Sequence, residues 1–196
     1  MINPDKIKTK LVVIGSGPGG YTAAFRASDL GLDVILIEKN HYLGGVCLNR
    51  GCIPSKAYLH LSNLIDDSKT SDKMGVIFNK PFIDIKKILK WKNSIISNLS
   101  KGISSLANQR KVKVINGRAK FLSANKLIVK DLQNKNIQIE FEHCIVATGS
   151  SPSLMKNIDF NHPRIINSTK ALSLDFIPNR MLIIGGGYIG LELGTI

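Results

Sequence analysis

Cys47 and Cys52, separated by four residues in Gly44-Gly45-Val46-Cys47-Leu48-Asn49-Arg50-Gly51-Cys52-Ile53-Pro54-Ser55-Lys56, are the residues whose types and spacing point most directly to chemistry. Two thiols held close together beside a bound nucleotide can store a pair of electrons and release it on closing to a disulfide. In a regular α-helix, residues five apart are displaced by about 7.5 Å along the axis. A disulfide needs Cα atoms about 4.4–6.8 Å apart. The segment must therefore be irregular, and Gly51 supplies the backbone freedom. So short a loop gains little stability from a purely structural cross-link. Zinc is the competing reading, but it wants four N or S ligands, and only His41 and His60 lie nearby, at odd intervals. No metal site is expected. If Cys52 precedes a helix, the helix dipole and Lys56 favour its thiolate. Cys144, in the strand-like run Phe141–Ala147, reads as a buried, inert thiol.

The elements around these thiols follow from periodicity. Leu11–Ile14 is an apolar strand running into Gly15-Ser16-Gly17-Pro18-Gly19-Gly20, then a helix from about Pro18 to Leu30 with Gly31 as its stop, then a second strand, Asp33–Glu38. The glycines fit G-x-G-x-x-G between a strand and a helix, where they allow a tight turn, backbone approach to a pyrophosphate and close helix–strand packing. The helix N-terminus then faces the phosphate charge. Glu38, at the end of the second strand, is placed to accept hydrogen bonds from ribose hydroxyls. After the cysteines a helix is expected from Pro54 into the sixties, and another from Asp84 to about Asn108, whose apolar residues recur at helical spacing. Lys111–Ala147 reads as short strands, with Asn134-Lys135-Asn136 a hairpin turn. A linker marked by Pro152, Pro163 and Pro178 leads to a third strand, Arg180–Ile184. Gly185-Gly186-Gly187-Tyr188-Ile189-Gly190 then repeats the fingerprint.

Composition narrows the partners. The chain has 196 residues, is 43% hydrophobic and carries a formal charge of +13. Its lysines are spread along the chain and outnumber arginines 21 to 6, whereas phosphate and base recognition leans on arginine forks. Nucleic acid is therefore not the expected partner. No apolar run approaches the roughly 20 residues of a membrane span. Met1–Lys6 carries no signal-peptide pattern, and a cytoplasmic protein is expected.

The cysteine segment resembles the redox-disulfide motif of the FAD-dependent pyridine nucleotide–disulfide oxidoreductases, and within them that of the bacterial dihydrolipoamide dehydrogenases. The likeness extends through the first fingerprint, Ala147-Thr148-Gly149 and Gly185–Gly194. It implies an α/β fold: a Rossmann-like FAD-binding domain over residues 1–150, a parallel sheet with helices plus a small β-meander, then a linker and the start of a second Rossmann-like NAD domain over 151–196. By this resemblance Cys47 is the interchange thiol, and Cys52 lies against the flavin. Lys56 sits near the flavin paired with Glu192. Gly15–Gly20 (with Ser16 and Pro18), Glu38, Lys39, Gly44, Gly45, Val46, Cys47, Ala119 and Ala147–Gly149 hold FAD. Gly185–Gly190, with Tyr188 and Ile189, approach NAD. The implied reaction oxidises protein-bound dihydrolipoamide through FAD to NAD⁺, with the lipoyl domain of a 2-oxoacid dehydrogenase complex as partner and a homodimer as the complete form. Rivals are a related NADPH-dependent glutathione or mercuric reductase and a non-catalytic flavin-binding module. Arg50 and Ala119 depart from the common Val and Gly. The family's His–Glu base has no counterpart, since no histidine follows His162, so these 196 residues are expected to bind FAD weakly and not to turn over.

Overall fold

The computed structural model describes residues 5–153 and 155–196. Met1–Pro4, part of the stretch read for a signal peptide, lies outside them. Packing divides the chain into two compact units: residues up to Leu48 with Asn98–Ser150, and Asn49–Ser97 with Ser151–Ile196. The expectation of 1–150 and 151–196 follows sequence order.

In the first unit, β1 (Asp5–Ile14) enters the glycine turn, α1 (Pro18–Asp29) follows, and β2 (Val34–Glu38) pairs parallel with β1 from Leu11↔Val34 to Ile14↔Ile37. Pro18 opens α1, where its missing N–H costs nothing. Gly31 stops it at φ +87°. All five residues of β2 are buried, as a parallel strand covered on both faces requires. Further along the chain lie β3 (Lys113–Ser123), β4 (Lys126–Asp131) and β5 (Asn136–Val146). The meander is not a separate sheet. β3 pairs parallel with β2 over Lys113–Asn116 and antiparallel with β4 from Gly117 onward. β5 pairs antiparallel with β4 and parallel with β1. The five strands thus close into one mixed barrel around Val12, Ile35, Ile37, Ile115, Leu127, Val129, Ile139 and Phe141. Each fully buried aliphatic side chain contributes about 1.5–3 kcal/mol. The expected hairpin turn holds: Asn134 is left-handed at φ +65°, and the Asp131 carboxylate accepts from the N–H of Gln133 and Lys135.

The helix α2 (Gly45–Arg50) begins in this unit and ends just beyond it, and α4 (Ile85–Gln109) likewise passes from the second unit to the first. The second unit contains α3 (Cys52–Thr70), the N-terminal half of α4, and two short helices, α5 (Ser168–Ala171) and α6 (Tyr188–Thr195). Its polar centre is the Leu172 carbonyl, which accepts from Tyr58 Oη (3.1 Å) and from Lys92 Nζ (2.8 Å). Burial lowers the Lys92 pKa and raises that of Tyr58. The strand expected at Arg180–Ile184 is not formed, although the turn and helix after it are. A short continuous apolar run marks a segment suited to a sheet, but a strand exists only through a neighbour's N–H and C=O groups. All five strands of the described residues lie in the first unit, and Leu182 is 86% exposed.

Candidate functional site

The glycine turn of the first unit is built by close approach. Gly15 has φ +101°, and a Cβ there would lie 2.2 Å from the Ala147 carbonyl oxygen. A Cβ on Gly20 would lie 1.7 Å from the Gly15 carbonyl oxygen, so α1 packs on β1 at backbone distance. Gly17 caps α1 without any side-chain hydrogen bond. Pro18 has no N–H and the Gly20 and Tyr21 N–H groups donate to the Gly17 carbonyl at 2.9 Å, so Gly19 supplies the first-turn N–H that faces a ligand. Gly44 and Gly45 then cross this turn as a strap. The Gly44 N–H donates to the Ser16 carbonyl at 2.9 Å. Gly45, left-handed at φ +62°, comes so near that a Cβ would lie 2.5 Å from Gly17 Cα. Ser100 of α4 anchors the strap from behind, its Oγ donating to the Leu43 carbonyl at 3.1 Å.

Beside this turn opens a cleft of about 240 Å³ lined by Ile14, Gly15, Ile37, Glu38, Lys39, Gly117, Arg118, Ala119 and Thr148. Complete small-molecule sites occupy about 300–1,000 Å³, so the cleft has room for one end of an extended ligand and not for the whole of it. Those residues fit a dinucleotide. Glu38 is only 5% exposed. Its Oε2 accepts from Ser16 N–H (3.0 Å) and Ser16 Oγ (2.6 Å), and its Oε1 from Asn40 N–H (2.9 Å) and Asn40 Nδ2 (2.8 Å).

The redox segment continues from the strap. Cys47 sits half-buried in α2, and Cys52 is exposed as the first residue of α3, two residues earlier than the expected start at Pro54. Gly51 separates the two helices at φ −147°, ψ −113°, which is the break the cysteine spacing requires. Cys144 is half-buried rather than buried, and desolvation pushes its thiol pKa up. Among the described residues, no group of three or more His, Cys, Asp or Glu is placed to hold a metal ion. No helix there is long and apolar enough to cross a membrane.

In the second unit the repeated fingerprint takes the same local form as the first. Gly185 has φ +119°, Gly187 caps α6 in an extended conformation, and a Cβ on Gly190 would lie 2.2 Å from the Gly185 carbonyl oxygen. Tyr188 opens α6 and is 74% exposed. Glu192 of α6 pairs with Lys56 Nζ and accepts from Ser55 Oγ at 3.0 Å. The Lys56 hydrogen bond, with that of Ser55 second, holds the Glu192 carboxyl below the usual carboxylate range. Such a group stabilises the fold at pH above its unfolded pKa, and that contribution is lost as pH falls through the lowered value. Glu192→Gln should therefore melt slightly below wild type near neutral pH, screening keeping the gap small, and the two should converge in acid. Melting temperatures from about pH 7 to pH 3 check this; a gap independent of pH would disprove the link.

Of the residues singled out from sequence, the first unit brings together Gly15–Gly20, Glu38, Gly44 and Gly45, with Lys39, Ala119 and Thr148 lining the cleft and the Ala147 carbonyl against Gly15. Val46 and Cys47 follow the strap on α2, and Gly149 follows Thr148 at φ +68°. The second unit holds Cys52, Lys56, Glu192 and Gly185–Gly190, Gly186 and Ile189 included. Sequence reasoning missed Asn40, Ser55, Ser100 and Arg118. Asn40 and Ser55 each stand beside a flagged residue and could have been found as short-range partners. Ser100 meets a carbonyl 57 positions away, and no local signal marks it.

This is the architecture of a Rossmann-type α/β protein in which the helix bearing Cys47 follows directly from the strap over the glycine turn. A family model for pyridine nucleotide-disulphide oxidoreductases matches residues 9–196, and the chain belongs to that family. The dihydrolipoyl dehydrogenase of Buchnera aphidicola subsp. Schizaphis graminum is 52% identical over 191 residues, 97% of this chain and 40% of that protein. The dihydrolipoyl dehydrogenase of Bacillus subtilis is 44% identical, over 96% of this chain and 40% of its own length. Among solved structures, the Cu(II) complex of the HOCl-induced flavoprotein disulfide reductase RclA from Escherichia coli superposes with a TM-score of 0.79 at 29% identity, covering 94% of this chain and 38% of that one. The chain spans about two fifths of the length of the curated relatives it matches.

Proposed function

We propose that this chain is the FAD-binding and redox-disulfide part of a dihydrolipoyl dehydrogenase. The observation that carries the reading is the continuity of the strap. Gly45 touches the phosphate turn at Gly17, and Cys47 lies two residues further on in the same helix. The segment that would close over a pyrophosphate therefore also delivers the thiol. The relatives' names supply the substrate class.

In the proposed cycle one sulfur of dihydrolipoamide, as thiolate, attacks Cys47 Sγ of the Cys47–Cys52 disulfide, and Cys52 leaves as thiolate. The second substrate sulfur then attacks its own mixed disulfide, releasing lipoamide and the Cys47 thiolate. Two electrons now reside on the protein dithiol, and the two substrate protons have gone to protein groups and solvent. Bound FAD would supply the chemistry that takes this electron pair onward to NAD⁺. Gly15–Gly20, Gly44–Gly45 and Glu38 would hold FAD. Lys56, fixed by Glu192, would place a positive charge at the N-terminal turn of α3. Gly185–Gly190 would take the nicotinamide dinucleotide. The full protein would act in the cytoplasm as a homodimer, on the lipoyl domain of a 2-oxoacid dehydrogenase complex.

Titration with FAD should give saturable one-to-one binding with a yellow, fluorescence-quenched flavin. Anaerobic dihydrolipoamide should then reduce the protein by two electrons and raise absorbance at long wavelength. A protein that binds no FAD, or whose flavin spectrum dihydrolipoamide leaves untouched, would sink the reading.

A further inference from the structure

A carboxylate has about four lone-pair positions, and all four on Glu38 are taken by Ser16 and Asn40. Glu38 nevertheless lines the cleft. A ribose hydroxyl arriving there meets an acceptor already saturated, and one protein donor must give way before it can bind. Two of the four donors are backbone N–H groups, those of Ser16 and Asn40, held where the chain path puts them. The third, Ser16 Oγ, belongs to a residue with no exposed surface. The fourth, Asn40 Nδ2, belongs to a half-buried residue. The Asn40 backbone is itself fixed, its carbonyl accepting from Asn116 Nδ2 on β3 at 2.5 Å. The side chain can therefore leave without moving the main chain.

We propose that the Asn40 side chain is an internal stand-in for a ribose hydroxyl: it caps Glu38 in the free protein and is displaced when an adenine nucleotide binds. This rests on the reading of the cleft as a nucleotide site, and adds to it a residue that sets the affinity. The stand-in keeps a nearly buried carboxylate satisfied in the free protein, where an unpaired one would be costly. In exchange it cancels most of what the ribose hydroxyls gain on binding. Asn40 thus limits how far the protein can distinguish a ribose from its deoxygenated analogue.

The test compares ADP with 2′,3′-dideoxy-ADP by calorimetry. In wild type, ADP should bind less than about threefold tighter than the dideoxy analogue, because the hydroxyl contact only replaces the Asn40 contact. In Asn40→Ala the preference should widen to about tenfold or more, through tighter ADP binding with dideoxy-ADP unchanged. The same variant should melt below wild type when free, so that stability falls while affinity rises. A merely structural role would lower both. A wild-type preference above about threefold, or an Asn40→Ala protein that binds ADP no tighter than wild type, would overturn the proposal. The wild-type comparison decides even if the variant does not fold. Failure of wild type to bind ADP at all would remove the nucleotide reading, and this proposal with it. ADP binding that Asn40→Ala leaves unchanged removes the proposal alone.

Discussion

Alanine at position 20 is expected to destabilise the first unit's βαβ arrangement strongly, while alanine at position 19 leaves it intact. The two glycines are neighbours in α1, and each substitution brings the same intrinsic gain in helix propensity, about 1 kcal/mol. Their surroundings differ. At Gly19 nothing lies within 4 Å of an added Cβ, whereas at Gly20 the Gly15 carbonyl oxygen lies 1.7 Å away and its carbon 2.8 Å away. Both obstructing atoms are backbone, so no side chain can turn aside. Relief requires α1 to lift from β1, and that breaks the burial of Val13, Ala24 and Ala27. We expect Gly20→Ala to cost more than about 3 kcal/mol, the upper end of overpacking penalties. For a protein of this size that lowers the melting temperature by about 6–12 °C. Gly19→Ala, with its propensity gain unopposed, should melt at wild type or up to about 4 °C above it. FAD retention should follow the same order, because lifting α1 carries the Gly17 N-terminus away from the phosphates. Equal melting of the two variants would show that the turn is not built by this contact.

This pair of glycines also shows what a single sequence can reveal. Fingerprint, helix stop at Gly31 and left-handed turn at Asn134 are local: each depends on residues within a few positions, and each formed where its residue types require. The closure of the barrel is not local. β3 changes partner at Gly117 and β5 reaches β1 across more than 130 positions, so a pattern of alternating residues reveals strands there without revealing that two of them serve both the parallel and the antiparallel pairings. Arg180–Ile184 shows the converse. Its composition suits a strand, but strand formation is a property of two chain segments, and only one of them can be read from it. At the site, Glu38 was legible as an acceptor because its position at the end of β2 is fixed by spacing. Its saturation by Ser16 and Asn40 was not, since hydrogen-bond occupancy depends on rotamers that spacing does not determine. The break between the cysteines was legible for the opposite reason: helix geometry forbids a disulfide at five-residue spacing, and only Gly51 could relieve it.

The second large effect falls on that pair. Cys47→Ser and Cys52→Ser should each abolish oxidation of dihydrolipoamide in the full-length protein, by at least about 10³-fold, the scale on which loss of a covalent participant is felt. Exchange needs one sulfur to be attacked and the other to leave, so neither residue can substitute for its partner and the double variant should be no worse than either single one. Cys144→Ser serves as the control. Its side chain is half-buried on β5 against the barrel core, and desolvation disfavours its thiolate. It should retain activity apart from any loss of stability. FAD content separates chemistry from folding. The phosphate turn, the strap glycines and Glu38 make their contacts without either cysteine side chain, so both serine variants should stay yellow while failing to react. Thiol titration under denaturing conditions supplies an independent count: air-oxidised wild type should gain two titratable thiols on reduction, and each single serine variant none. A Cys52→Ser protein that still oxidises dihydrolipoamide would sink the dithiol mechanism. Loss of flavin together with activity would instead place the cysteines in the cradle itself, making them binding residues rather than the carriers of the electron pair.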